Sequence, residues 1–226
     1  MKVILFGATG MVGQGALREC LRDPRVERIL SVGRRSTGQR HEKLDEILQP
    51  NVADLSPVQD RLSGYDACFF CLGVSSVGMK PDEYRRLTYD LTLSVARILA
   101  AQNPGMTFLY VSGTGTDSSQ RGRSMWARVK GETENALLRL PFRAAFMFRP
   151  GYIQPLDGIA PKTWWMRVFY QATAPCYPLL RALFPKYVTT TRQLGCAMIQ
   201  VAAQGFPKRV LESSDIASVR CPGSTG

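Results

Sequence analysis

Three glycines spaced three apart, Gly7, Gly10 and Gly13, stand in the segment "ILFGATGMVGQGAL". They follow a short apolar run and open a stretch whose apolar residues recur at helical spacing. That arrangement suits one task. The first glycine allows a tight turn, the second lets backbone approach a pyrophosphate, and the third lets the helix pack closely on the strand. The helix N-terminus then offers free N–H groups to anionic oxygens. Thr9, Met11 and Val12 lie between the glycines and are expected at the phosphates with them. An ordinary glycine turn is the bland alternative. The strand before it and the helix after it favour a dinucleotide.

The second apolar run ends "SVGRRS", so that Gly33 is followed by Arg34 and Arg35. An acidic residue at this place would accept from a ribose 2′-hydroxyl and select NAD(H). Two guanidinium groups suit a 2′-phosphate instead and can stack on adenine. The expectation is therefore NADP(H), preferred over NAD(H). Asp54 and Leu55, after a third extended stretch, are expected at the adenine edge. Cys71, Leu72 and Gly73, ending the fourth, are expected beneath the adenine ribose.

A second group of chemical residues lies in "SMWARVKGETENALL", residues 124–138. Lys130 follows Trp126 by four on a helix-like stretch. A lysine there can hold ribose hydroxyls, but an indole has no proton that titrates near neutral pH. The competing reading of Lys130 is a surface ion pair with Glu134 at i,i+4. In "FLYVSGTGT" the hydroxyls of Ser112 and Thr114 could polarise a carbonyl, with Gly113 between them. Tyr152, Tyr84 and Tyr89 are candidate substitutes for a proton donor, against a packing role for each. His41 is the single histidine, which excludes histidine triads and multi-histidine metal sites. No acidic cluster replaces them, and no metal is expected. Cys68 and Cys71 form C-x-x-C inside "ACFFCLG", but residues three apart on a strand face opposite sides, so buried thiols are expected.

These residues need elements to position them. Strand-like runs at 2–7, 27–34, 65–73, 107–113 and 142–151 alternate with helix-like stretches at 11–23, 56–64, 80–102 and 122–139. A weak helix is expected at 41–46, then an extended stretch at 47–53. Such alternation predicts an α/β protein, a Rossmann-type doubly wound parallel sheet covered on both faces. Residues 1–155 form its core. Residues 156–226 are expected as a C-terminal annex of the same domain, laid over the carboxyl edge of the sheet on the substrate side, with a helix near 191–204 and a short piece at 208–219.

The chain has 226 residues, with 29 Lys and Arg against 18 Asp and Glu, a net charge of +11. The basic residues form no long run, which favours small anionic ligands over nucleic acid. From residue 160 onward eight basic residues face two acidic ones, and 161–188 is aromatic-rich. That segment reads as a pocket-forming annex, with a patch resting on an anionic membrane as the alternative. No uncharged run reaches the roughly 18 residues of a spanning helix. No signal-like segment precedes the first strand, so the six cysteines are expected reduced and the protein cytoplasmic.

Taken together, G-A-T-G-M-V-G at 7–13, "RVKGETENAL" at 128–137 and "FRPGYI" at 148–153 resemble the short-chain dehydrogenase/reductase superfamily. The closest likeness is to its atypical branch: the NAD(P)H-binding, nucleoside-diphosphate-sugar epimerase-like proteins and the Tat-interacting oxidoreductase-like group. The resemblance implies that Lys130 binds the nicotinamide ribose and that Pro150 and Gly151 border the nicotinamide. It also implies a homodimer through the two long helices. Trp126 falls where the superfamily carries its catalytic tyrosine, and Gly113 falls on its serine position. Three functions follow as expectations. The first is an NADP(H)-binding oxidoreductase-like or epimerase-like protein acting on a small carbonyl or sugar-related substrate. The second is a non-catalytic dinucleotide-sensing interaction module. The third is a basic peripheral membrane-surface protein.

Overall fold

β1 (Lys2–Phe6) is apolar at every position after Lys2, and those four residues are buried. Val3 and Leu5 enter one core cluster, Ile4 and Phe6 the other, so the strand is packed on both faces. The same alternation sends Phe69 one way and Cys68 and Phe70 the other, and separates Leu109 from Phe108 and Tyr110. The chain was analysed as a computed structural model, which describes residues 1–159 and 187–221.

After β1 come α1 (Met11–Arg22), β2 (Arg28–Gly33), β3 (Leu44–Leu48), a 3-10 turn (Ser56–Arg61) and β4 (Ala67–Phe70). α2 (Pro81–Arg85) continues through a π-helical turn (Arg86–Asp90) into α3 (Leu91–Gln102). Then follow β5 (Thr107–Val111), α4 (Met125–Leu137), β6 (Ala144–Arg149) and β7 (Tyr152–Gln154). Past the undescribed residues lie β8 (Val188–Thr190), α5 (Thr191–Gln204), β9 (Val210–Glu212) and α6 (Ser213–Ser218). Seven strands form one sheet in the order β3-β2-β1-β4-β5-β6-β9, every neighbouring pair parallel. The winding reverses between β1 and β4, and the carboxyl ends of these strands frame the crevice where such folds take ligands.

Four expectations change. The weak helix at 41–46 is absent, and β3 occupies Leu44–Leu48 in register with β2, Ile29 opposite Leu44 and Val32 opposite Ile47. Leu44 and Ile47 imitate helical spacing, but this is an edge strand with only Ile47 fully buried, so pairing decides its form. The tail is more than an annex. β9 is the seventh strand of the sheet, with Phe148 opposite Leu211. α5 crosses α1 so closely that a Cβ on Gly195 would lie 2.9 Å from the Gly15 carbonyl oxygen. Of residues 142–151 only Ala144–Arg149 form a strand, β6, and the chain then enters β7 at Tyr152, which pairs with β8. Finally, Cys196 and Cys221 form a disulfide, where reduced thiols were expected; their 5.9 Å Cα separation joins positions 25 residues apart, a proximity that spacing does not reveal. Cys68 and Cys71 do face opposite clusters. The aromatic segment, apart from Tyr187 and Val188, lies outside the described residues. Among the described residues no helix is long and apolar enough to cross a membrane.

Candidate functional site

The glycine turn sits at the carboxyl end of β1. Gly10 N–H donates to the Gly7 carbonyl at 2.9 Å and closes it. Gly7 has φ +82°, and a Cβ there would lie 2.7 Å from the Cys71 carbonyl and 2.8 Å from Leu72 N. A Cβ on Gly13 would lie 2.0 Å from the Gly7 carbonyl oxygen. Only glycine allows β1, the exit of β4 and α1 to approach in this way. Gly10 caps α1 with no side-chain hydrogen bond, which leaves its first-turn N–H groups to a ligand. Met11 and Val12 contribute backbone in that turn while their side chains pack on the core.

Beside the turn lies a cavity of about 180 Å³ lined by Gly7, Thr9, Gly33, Arg34, Arg35, Val52 and Leu72 among others. A second, of about 250 Å³, shares Thr9 and Arg35 with it and adds Gln14, Ser36, Thr37 and Gln39. A roomier hollow of about 620 Å³ lies at the opposite, amino edge of β5 and β6, between Thr107, Arg143 and Phe206. None of the expected site residues lines it. Arg34 and Arg35 are exposed, and among the described residues neither forms an ion pair. Two residues expected at the adenine end do not line the cavity. Leu55 is fully buried in the core. The Asp54 carboxylate turns to Ser56 at the start of the 3-10 turn, accepting from its N–H at 3.1 Å and its Oγ at 2.7 Å. Val52 forms that wall instead. Of 71–73, Leu72 lines the cavity and Cys71 supplies the backbone that Gly7 abuts; burial pushes the Cys71 thiol up to about 12. Gly73 stands in open space beyond them.

The second group gathers at the carboxyl ends of β5 and β6. Lys130 Nζ donates to the Ser112 carbonyl. Burial lowers the Lys130 ammonium to about 8, and Glu134 opposes that fall only in part. The i,i+4 ion pair does not form. Glu134, fully buried, is bound instead by Arg149, whose Nε reaches Oε1 at 3.0 Å and whose Nη2 reaches Oε2. Arg149 Nη1 also donates to Glu212 at 2.9 Å, and Nη2 to Ser118 Oγ. Ser112 Oγ donates to Glu134 Oε1 at 2.5 Å. Thr114 Oγ1 donates to the Arg149 carbonyl at 3.1 Å, and Thr114 N–H to the Pro150 carbonyl at 3.0 Å. Both hydroxyl protons expected to polarise a carbonyl are thus turned inward. A Cβ on Gly151 would lie 2.4 Å from the Tyr187 carbonyl oxygen, which fixes the exit of β6 against the start of β8.

Trp126 is half-buried, with its ring edge against Gly115, where a Cβ would lie 3.3 Å from Cη2. Tyr84 is buried in the core, and the Tyr89 ring lies 4.3 Å beneath the Arg85 guanidinium. Tyr152 is half-buried, with its hydroxyl donating to Gln154 Oε1 at 2.9 Å. Sequence reasoning missed Val52, Gln14, Thr37 and Gln39 as lining residues, and the Glu134–Arg149 pair. Glu134 carried a visible signal, an acid one turn past Lys130, but its partner comes from another strand.

No family model matches the chain. Protein HTATIP2 of Rattus norvegicus is 28% identical over 172 residues, 74% of this chain and 69% of that protein. The mitochondrial protein FMP52-2 of Scheffersomyces stipitis is 27% identical over 66% of this chain and 65% of its own. The matches thus span about two thirds of the relatives' own length. Among solved structures, the UDP-N-acetylglucosamine 4-epimerase of Methanobrevibacter ruminantium superposes with a TM-score of 0.68 at 14% identity, over 93% of this chain and 75% of that one. The Bordetella bronchiseptica enzyme WbmF, solved with NAD+, gives 0.66 at 14% over 96% and 76%. A short-chain dehydrogenase/reductase of Saccharomyces cerevisiae gives 0.66 at 10% over 95% and 96%. The chain has the fold of the short-chain dehydrogenases/reductases and nucleotide-sugar epimerases, and in sequence it is similar to the atypical HTATIP2 and FMP52 proteins.

Proposed function

We propose that this chain binds NADP(H) and acts as an oxidoreductase-like or epimerase-like protein on a small carbonyl or sugar-related substrate, without the usual tyrosine proton donor. The observation that carries the reading is the pair of guanidinium groups, Arg34 and Arg35, that line the cavity beside the glycine turn and form no ion pair among the described residues. The turn fits a pyrophosphate, because a Cβ at Gly7 or Gly13 would fill the space that the close backbone approach needs. Leu72 and Val52 wall the adenosine side. Arg35 lines both neighbouring cavities, which supports a contact to a 2′-phosphate. Lys130 holds the nicotinamide ribose from β5's end. A bound nicotinamide supplies hydride chemistry; the chain orients it and excludes water. Protein titrated with NADPH and NADH, as wild type and as Arg35→Ala, tests this. The variant is expected to bind NADPH about tenfold or more weakly, the value of a charge-assisted bond, with NADH little changed. An equal loss for both would contradict a 2′-phosphate contact.

A second reading, a dinucleotide sensor without turnover, is favoured by one arrangement: Trp126 at the tyrosine position and the Ser112 hydroxyl turned to Glu134. Trp126→Tyr separates the two. The enzyme reading expects carbonyl reduction by NADPH to rise in that variant, across a panel of aldehydes and ketones. Turnover absent from both wild type and variant, with NADPH binding retained, favours the sensor.

A further inference from the structure

The loop that carries the two arginines is held from behind by one carboxylate. Glu46 lies on β3, opposite Ser31 of β2. Its Oε2 accepts from Ser36 Oγ at 2.6 Å, and its Oε1 accepts from Thr37 N–H at 2.7 Å. Ser36 Oγ accepts in turn from Gly38 N–H at 3.0 Å, and Thr37 Oγ1 from Gln39 N–H at 3.2 Å. Among the described residues, the two bonds to Glu46 are the only hydrogen bonds that tie residues 34–40 to the rest of the protein. The β2–β3 ladder stops at Gly33, so backbone pairing does not set the loop's path.

That path matters because Arg35 lines both cavities, and Ser36, Thr37 and Gln39 form the outer wall of the second. The donors that Glu46 engages are equally telling. Both of its oxygens are taken up by a hydroxyl and a backbone N–H, and neither by Arg34 or Arg35. A carboxylate paired with those guanidinium groups would neutralise them and repel a phosphate. Here the acid orders the loop and leaves the cations to the ligand. Burial raises the Glu46 carboxyl, but the bonds from Ser36 and Thr37 outweigh it and hold it below the ordinary value, so the clamp is charged at neutral pH.

We infer that Glu46 is a positioning residue for the 2′-phosphate end of the site: by clamping Ser36 and Thr37 it places Arg35 and sets the discrimination between phosphorylated and unphosphorylated dinucleotide. The inference rests on the NADP(H) reading above. The experiment is a set of NADPH and NADH titrations on the full chain as wild type, Glu46→Gln, Glu46→Ala, Ser36→Ala and Arg35→Ala, each with a thermal melt. Glu46→Ala is expected to weaken NADPH about tenfold and NADH less than about twofold, as loss of a charge-assisted clamp predicts. Glu46→Gln, which keeps one acceptor oxygen, falls between. Ser36→Ala leaves the carboxylate and removes one donor, so it lowers the NADPH-to-NADH ratio even if Glu46→Ala fails to fold. A ratio unchanged in Glu46→Gln and Ser36→Ala, while Arg35→Ala loses it, overturns the clamp and leaves the cofactor reading standing. Equal loss of both nucleotides also overturns it. A wild type with no NADPH preference overturns the cofactor reading and the clamp with it.

Discussion

Lys130 is a residue whose charge is altered by its surroundings. Its ammonium is donated to the Ser112 carbonyl, and burial lowers it from 10.5 to about 8. Below that value it is charged and donates strongly to hydroxyl and phosphate oxygens; above it the charge is lost. NADPH binding by the wild type is therefore expected to weaken as pH rises through about 8. Lys130→Met is expected to bind more weakly at pH 7 and to show no step near pH 8, as read by fluorescence titration from pH 6.5 to 9.5. The same shift affects stability with a definite sign. Between about 8 and 10.5 the unfolded chain keeps a proton on this lysine that the folded chain has released. Wild-type stability therefore gains relative to Lys130→Met as pH rises through that window. Trp126, one turn earlier, packs against Gly115 and carries an indole N–H that does not titrate near neutral pH.

Among the elements, α4 is tied to the sheet by a buried pair, beside the Lys130 bond and the burial of Leu137. Glu134 on α4 meets Arg149 at the end of β6 and Ser112 just past β5, and Arg149 goes on to Glu212 at the end of β9. Removing one member of a buried pair leaves the other charge uncompensated, at a cost of about 3 to 5 kcal/mol. Glu134→Ala is expected to lose about that much in urea unfolding, whereas Ser112→Ala loses about 1 kcal/mol. Comparable small losses for both would contradict the clamp on α4. This pair also marks where the sequence becomes hard to read. β1, β4 and β5 are legible because burial on both faces makes nearly continuous apolar runs. The glycine turn is legible because its function is contained in seven successive residues. β3 is hard to read because an edge strand buries little. Helical spacing makes Glu134 visible as the competing partner of Lys130, whereas the approach of β6 that brings Arg149 leaves no local pattern. Leu55 was placed at the adenine because chain position suggests proximity, while side-chain direction is set by the core it enters.

At the scale of the whole molecule, a chain of net charge +11 places Arg34 and Arg35, which form no ion pair among the described residues, just past β2, on the cavity that the glycine turn and the exit of β4 also line. The first-turn N–H groups of α1 add to the same positive end. The expected C-terminal annex proved in part to be core, since β9 completes the sheet and α5 covers α1. Its long-range pairing lies beyond any local pattern. These features support one proposed property, recognition of a dinucleotide by its phosphates. Titration of the purified wild type with NADPH and with NADH under identical low-salt conditions measures that property most directly. The proposed function predicts binding of both, with NADPH tighter by about tenfold or more, the value of a guanidinium–phosphate contact. Equal affinities, or NADH the tighter ligand, would contradict it.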